Sequence, residues 1–104
     1  MDKNIHRSIN KYIRLIKENF EGIENAYLFG SYAKGNPTSD SDIDIALIFK
    51  ILDDTRRFDV QVQLMLLAAQ IDSRIEPHPI AQDDFNAGNS FFNEIKKTGI
   101  KIAA

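Results

Sequence analysis

Leu28-Phe29-Gly30-Ser31-Tyr32-Ala33-Lys34-Gly35-Asn36-Pro37-Thr38-Ser39-Asp40-Ser41-Asp42-Ile43-Asp44-Ile45-Ala46-Leu47-Ile48-Phe49 is the stretch that decides the fold. It reads as a strand end, a tight Gly-Ser turn, a polar loop, and a second strand that opens on two alternating acids. From Asp42 to Phe49 one face carries Asp42, Asp44, Ala46 and Ile48, and the other Ile43, Ile45, Leu47 and Phe49. The later part is apolar on both faces, which predicts a central strand covered on both sides. Asn36-Pro37-Thr38-Ser39 has the chemistry of a turn-rich loop, and Tyr32 to Lys34 is read as one helical turn.

Outward from this stretch, residues 4–20 carry Ile5, Ile9, Ile13, Ile16 and Phe20 at spacings of three or four, with Tyr12 beside the stripe. That spacing predicts an amphipathic helix, with Asn4 as its N-cap and Gly22 as its stop. Ala26 to Phe29 is read as a short strand. Asp53-Asp54-Thr55 caps a long helix running to about Asp72, with Phe58, Val62, Met65, Leu66 and Ala69 expected to face inward. Arg74 to Ile80 is the third strand, which pairs incompletely or lies at an edge because Pro77 and Pro79 lack ladder donors. Phe91 to Lys97 forms a last short helix stopped by Gly99, before a terminal strand Ile100-Lys101-Ile102. The expected fold is α/β (α+β): a small mixed sheet flanked by helices, with residues 1–104 as one domain.

Composition narrows the function classes. Hydrophobic residues make up 43% and charged residues 27% of 104 positions, ordinary globular values that argue against disorder. The net charge of −2 provides no global basic field, so nucleic acid is not the expected partner. With no cysteine, disulfides and thiolate metal sites are excluded. No apolar run approaches the roughly 18 residues of a membrane helix, and the first residues lack a signal-peptide apolar region. The expected location is the cytoplasm.

The chemistry starts from the acids. Asp42 and Asp44, two apart on a strand, lie on one face roughly 6.6 Å apart by Cα. Carboxylates that close repel unless a cation lies between them. All-oxygen donors favour Mg²⁺, which keeps waters and shares its shell with phosphates. At the Gly-Ser turn, the backbone N–H groups of Ser31 and Tyr32 and the Ser31 hydroxyl can receive an anion that Gly30 lets approach closely. Lys34 adds a point charge to the same phosphates.

Two ions about 3.5–4 Å apart would suit in-line displacement at phosphorus, and such pairs take a third acid. Glu76, mid-strand in Arg74-Ile75-Glu76-Pro77-His78, is the first candidate, with the added role of drawing the proton from the attacking hydroxyl. Asp72, near the preceding helix end, is its competitor. His78 shares the face of Glu76 and is read as structural. Tyr32 stays open between packing and a place beside the nucleotide. Arg56-Arg57 and Lys96-Lys97 are read as solvated faces that equally suit an acidic partner.

Rival motifs fail at named positions. A calcium loop starting at Asp40 would need Gly at Ile45 and Glu at Ile51. A P-loop from Gly30 would need Lys-Ser/Thr where Asn36-Pro37 stands.

Gly30-Ser31, ten residues, then Asp42-Ile43-Asp44 resembles the signature of the DNA polymerase beta-like nucleotidyltransferase superfamily, above all its smallest members, the minimal nucleotidyltransferases or MNT proteins. The resemblance covers nearly the whole chain: helix, strand, Gly-Ser turn, acid strand, helix, third acid strand. It implies that Gly30 and Ser31 hold the triphosphate and that Asp42 and Asp44 bind metal. The third acid is often Asp in the superfamily, where Glu76 stands here.

The resemblance further implies ATP as donor and a HEPN-domain protein as partner, several such pairs being toxin–antitoxin systems. The first expectation is thus a Mg²⁺-dependent transfer of AMP to a hydroxyl of a protein, plausibly a HEPN toxin, by an antitoxin enzyme. Larger relatives carry separate acceptor-binding domains, so the acceptor here is expected to supply much of its own binding surface. A second expectation is an antitoxin that neutralises its partner by binding alone. A third is nucleotidylation of a small hydroxylated molecule, as in aminoglycoside nucleotidyltransferases, with a homodimer supplying the missing wall. Homo- and hetero-oligomers both stay open.

Overall fold

The strand read from the acid stretch is β2, Ile43–Phe49, and six of its seven residues are buried; Asp44 alone is half-exposed. Such a strand needs neighbours on both edges and cover on both faces. In the computed structural model, which describes residues 2–102, it has them. β1 (Ile23–Phe29) pairs with β2 antiparallel, with Phe29 abreast of Asp44. β3 (Ile75–Ala81) pairs with β2 in parallel, with Asp44 abreast of Glu76 and Ala46 abreast of His78. A parallel neighbour requires a crossover, supplied by α2, Asp54–Ile71. The short β4 (Ile100–Ile102) completes the mixed sheet in the order β3-β2-β1-β4. Its edge position leaves β3 free to carry Pro77 and Pro79, as the sequence predicts.

The two faces differ. Ile43, Ile45, Leu47 and Phe49 pack under α1 (Lys3–Asn19) and α2, against Ile5, Ile9, Tyr12, Ile13, Ile16, Val60, Leu64 and Ala68. Burial pushes the Tyr12 phenol well above its ordinary range, and its hydroxyl donates to the Leu64 carbonyl at 2.9 Å, tying the two helices. On the opposite face a smaller core joins Ala46, Ile48 and Ile80 to Phe85 of α3 (Gln82–Phe85) and Ile95 of α4 (Ser90–Thr98). This second cover reaches only part of the sheet. On this face Asp42 and Glu76 are exposed and Asp44 and His78 partly so.

Several expectations change. The N-cap of α1 is Asp2, whose Oδ1 accepts from the Asn4 N–H at 2.7 Å; Asn4 itself lies inside the helix. β1 begins three residues earlier than expected, at Ile23. Tyr32–Lys34 is a succession of turns and no helix forms there. The inward face of α2 is corrected: Val60, Leu64 and Ala68 are buried, whereas Phe58 (77% exposed), Val62, Met65 (52%) and Leu66 face out, and Ala69 is exposed. From Leu64 to Ala69 every residue is apolar. Two stripes, offset by two residues and hence on opposite sides, both satisfy the helical period there. α3 carried no sequence signal.

Candidate active site

Antiparallel pairing of Phe29 with Asp44 delivers the next residue, Gly30, to the carboxylate. Gly30 has φ +74°, and a Cβ placed there would stand 2.5 Å from Asp44 Oδ2. The position thus needs glycine for backbone conformation and for space. The loop beyond folds on itself: the Lys34 N–H donates to the Gly30 carbonyl and the Asn36 N–H to the Ser31 carbonyl, both at 3.1 Å. Ser31 is half-buried and Lys34 exposed. Further on, the Thr38 N–H donates to Ser41 Oγ at 2.8 Å and the Ser41 N–H to the Thr38 carbonyl at 3.1 Å, leading the chain into Asp42.

The parallel register with β3 then assembles the acids. The Ile43 N–H donates to the Arg74 carbonyl at 2.8 Å, which sets Asp44 beside Glu76. One ligand atom each from Asp44, Glu76 and His78 lie within 4.8 Å of one another. Asp42 is exposed and near enough to share a proton with Glu76. That hydrogen bond, then partial burial, holds the Glu76 carboxyl above its usual range; the charges of Asp42 and Asp44 add to the effect and His78 opposes it. Carboxylates this crowded disfavour one another's charge and favour a cation between them.

A divalent ion fits this donor set. Ligands on opposite sides of a small divalent ion stand roughly 4.2 Å apart, so donors already within 4.8 Å close on one by sub-ångström movement. Asp44, Glu76 and His78 can hold it, with Asp42 at hand.

Of the residues expected from sequence, Gly30, Asp42, Asp44 and Glu76 are brought together around Asp44. Lys34 lines an adjoining cleft of about 240 Å³ with Phe29, Gly30, Phe91, Glu94 and Thr98. Asp72 is not brought in. Its carboxylate takes the Arg74 guanidinium at 2.8 and 3.0 Å and the Ser8 hydroxyl at 3.2 Å, and Arg74 pulls it down to about 2. Arg74 is thereby engaged away from Glu76. Tyr32 packs part-buried against the larger core. Arg57 pairs with Asp54 and Asp84, and Lys96 lies over the Phe85 ring, both outside the cluster.

His78, read as structural, instead points into the site: its Nε2 lies 3.2 Å from Asp44 Oδ1. Strand alternation puts residues 76 and 78 on one face, while the approach to Asp44 comes from the parallel register.

Comparison with known proteins finds relatives of the same fold. Over 68 residues the chain is 37% identical to the protein adenylyltransferase MntA of Shewanella oneidensis, a match covering 64% of this chain and 47% of that one. It spans about half the length of the curated relatives it matches. Among solved structures, a chain of a toxin–antitoxin crystal structure with AMP-PNP superposes with a TM-score of 0.62 at 28% identity, covering 88% of this chain and 69% of that one. A chain of the complex between a tri-AMPylated Shewanella oneidensis HEPN toxin and its MNT antitoxin gives 0.56 at 25%, covering 92% and 69%. The family described as polymerase beta, nucleotidyltransferase matches residues 10–104. With that match spanning most of its length, the chain belongs to the polymerase beta nucleotidyltransferases.

Proposed function

We propose that this chain, acting over residues 1–104 as one domain, transfers AMP from Mg²⁺-bound ATP to a hydroxyl of a protein, a HEPN-domain toxin, and so acts as its antitoxin. The observation that carries the reading is the position of Asp44, with the Gly-Ser turn against one carboxylate oxygen and the third acid abreast of it. Triphosphate and metal would then meet at one residue. The names of the relatives support the rest: one is a protein adenylyltransferase, and another structure contains an AMPylated HEPN toxin.

In this reading Gly30 and Ser31 receive the triphosphate and Lys34 approaches it from the adjoining cleft, whose exposed aromatic ring is Phe91. Asp42, Asp44 and Glu76 would hold the divalent ions, two in the family's manner, magnesium entering with the nucleotide. When bound, the metal withdraws charge from the phosphates and orients the hydroxyl and the departing pyrophosphate. The acceptor oxygen forms its bond to the α-phosphorus as the bond to the β-phosphate oxygen breaks. Glu76, abreast of Asp44 at the open end of the sheet, would take the hydroxyl proton. Pyrophosphate leaves with the electron pair of the broken bond. Among the described residues no helix is long and apolar enough to cross a membrane, and we assign the reaction to the cytoplasm, where ATP and such a toxin would meet.

The test is label transfer from α-labelled ATP to a HEPN protein encoded beside this chain. Asp42→Ala is expected to abolish transfer with the circular dichroism spectrum unchanged, because Asp42 is exposed and supports no packing. Undiminished transfer by that variant would sink the mechanism.

A further inference from the structure

We infer that His78 is a metal ligand, making the position between Asp44, Glu76 and His78 a mixed oxygen–nitrogen site that prefers Mn²⁺ to Mg²⁺. The inference deepens the nucleotidyl-transfer reading, and rests on it for the identity of the site. β3 cannot turn on its axis, because Pro77 and Pro79 are buried on its other face and the Pro77 carbonyl accepts from Gln61 Nε2 of α2 at 2.9 Å. Glu76 and His78 therefore both face the open side of the sheet.

His78 lies abreast of Ala46, whose methyl group leaves room for the imidazole to lean back toward Asp44. The Phe29 ring meets it edge-on, centroids 5.0 Å apart at 63°, and restrains it in that orientation. The resulting Nε2 to Oδ1 spacing of 3.2 Å is close to the roughly 3 Å between adjacent ligands of one ion at about 2.1 Å. A histidine that only steadied Asp44 would need that one contact. Here a Glu76 carboxylate oxygen, an Asp44 carboxylate oxygen and an imidazole nitrogen of His78 all lie within 4.8 Å of one another, a third donor beyond the pair.

The consequence concerns which ion binds. Magnesium takes oxygen and parts reluctantly with water. An imidazole nitrogen among carboxylates shifts preference along the series from Mn²⁺ toward Zn²⁺. On binding, the Nε2 proton passes to solvent and the neutral ring keeps its N–H at Nδ1, so that Nε2 offers its lone pair to the ion in place of its contact with Asp44.

The experiment titrates the full chain with Mn²⁺ alone, without nucleotide, and records pulsed electron paramagnetic resonance of the bound ion. The expected result is strong nitrogen modulation that changes frequency in protein carrying ¹⁵N-histidine and disappears in His78→Asn. The chain's other histidine, His6, lies on α1 and stays intact in that variant. His78→Asn is also expected to weaken Mn²⁺ binding by at least about tenfold, the loss that even an outer partner of a ligand carries, with Mg²⁺ binding little changed. Mn²⁺ bound without nitrogen modulation, modulation that survives His78→Asn, or Mn²⁺ held no tighter than Mg²⁺ would each overturn the inference. No ATP or acceptor enters the measurement. Absent AMP transfer with intact nitrogen coupling therefore counts against the transfer reading alone, and the converse against the ligand assignment alone.

Discussion

A methyl group at position 30 would stand 2.5 Å from a carboxylate oxygen of Asp44, on a backbone already at φ +74°. Gly30→Ala should therefore cost about 1–2 kcal/mol from the left-handed conformation alone, and more because Asp44 must move. Urea denaturation is expected to show that loss, and label transfer a larger one. Glu76 gives a pH prediction. Its carboxyl is raised above the unfolded value, first by the hydrogen bond to Asp42. Its favourable contribution is therefore complete below the ordinary carboxyl value of 4.5 and is lost as pH rises through the raised one. In EDTA at pH 7, Glu76→Gln should melt at a higher temperature than the native chain, and the two should converge near pH 4. An unchanged gap across that range would show that the acids do not interact. At this scale Gly30, Asp42, Asp44 and Glu76 were legible because turn chemistry and strand alternation are local. The contact of His78 with Asp44 was not, because its partner lies 34 residues away and is set by a register that sequence pattern does not print.

Element by element, the acid strand and α1 are as their periodicity predicts, since each has one arrangement that buries its apolar residues. α2 has two. The stripe Phe58, Val62, Met65 and the stripe Val60, Leu64, Ala68 both follow the helical period, and only the second meets the sheet. Adjacent residues test this directly. Leu64→Ala, at 0% exposure, should destabilise by about 2–5 kcal/mol, and Met65→Ala by no more than about 0.5 kcal/mol. Equal losses would mean that the outward stripe is packed. β3 was legible as an edge strand through its prolines, while its parallel direction follows from the α2 crossover and fixes which acid meets which.

For the whole molecule, asymmetry of cover is what makes a site. One face of the sheet is sealed by α1 and α2, and the other by α3 and α4 over part of its length. Asp42, Asp44, Glu76 and His78 occupy the part left open, where an ion and a nucleotide can reach them. The partial cover could not be read from sequence, because α3 is a four-residue helix without a periodic signal. The most direct measurement of the central claim is the intact mass of the HEPN partner after incubation with this protein, ATP and divalent metal. The expected result is addition of one or more AMP units with the native chain and none with Asp44→Asn. A partner that gains no AMP from the native chain, or gains it equally from Asp44→Asn, would contradict the account.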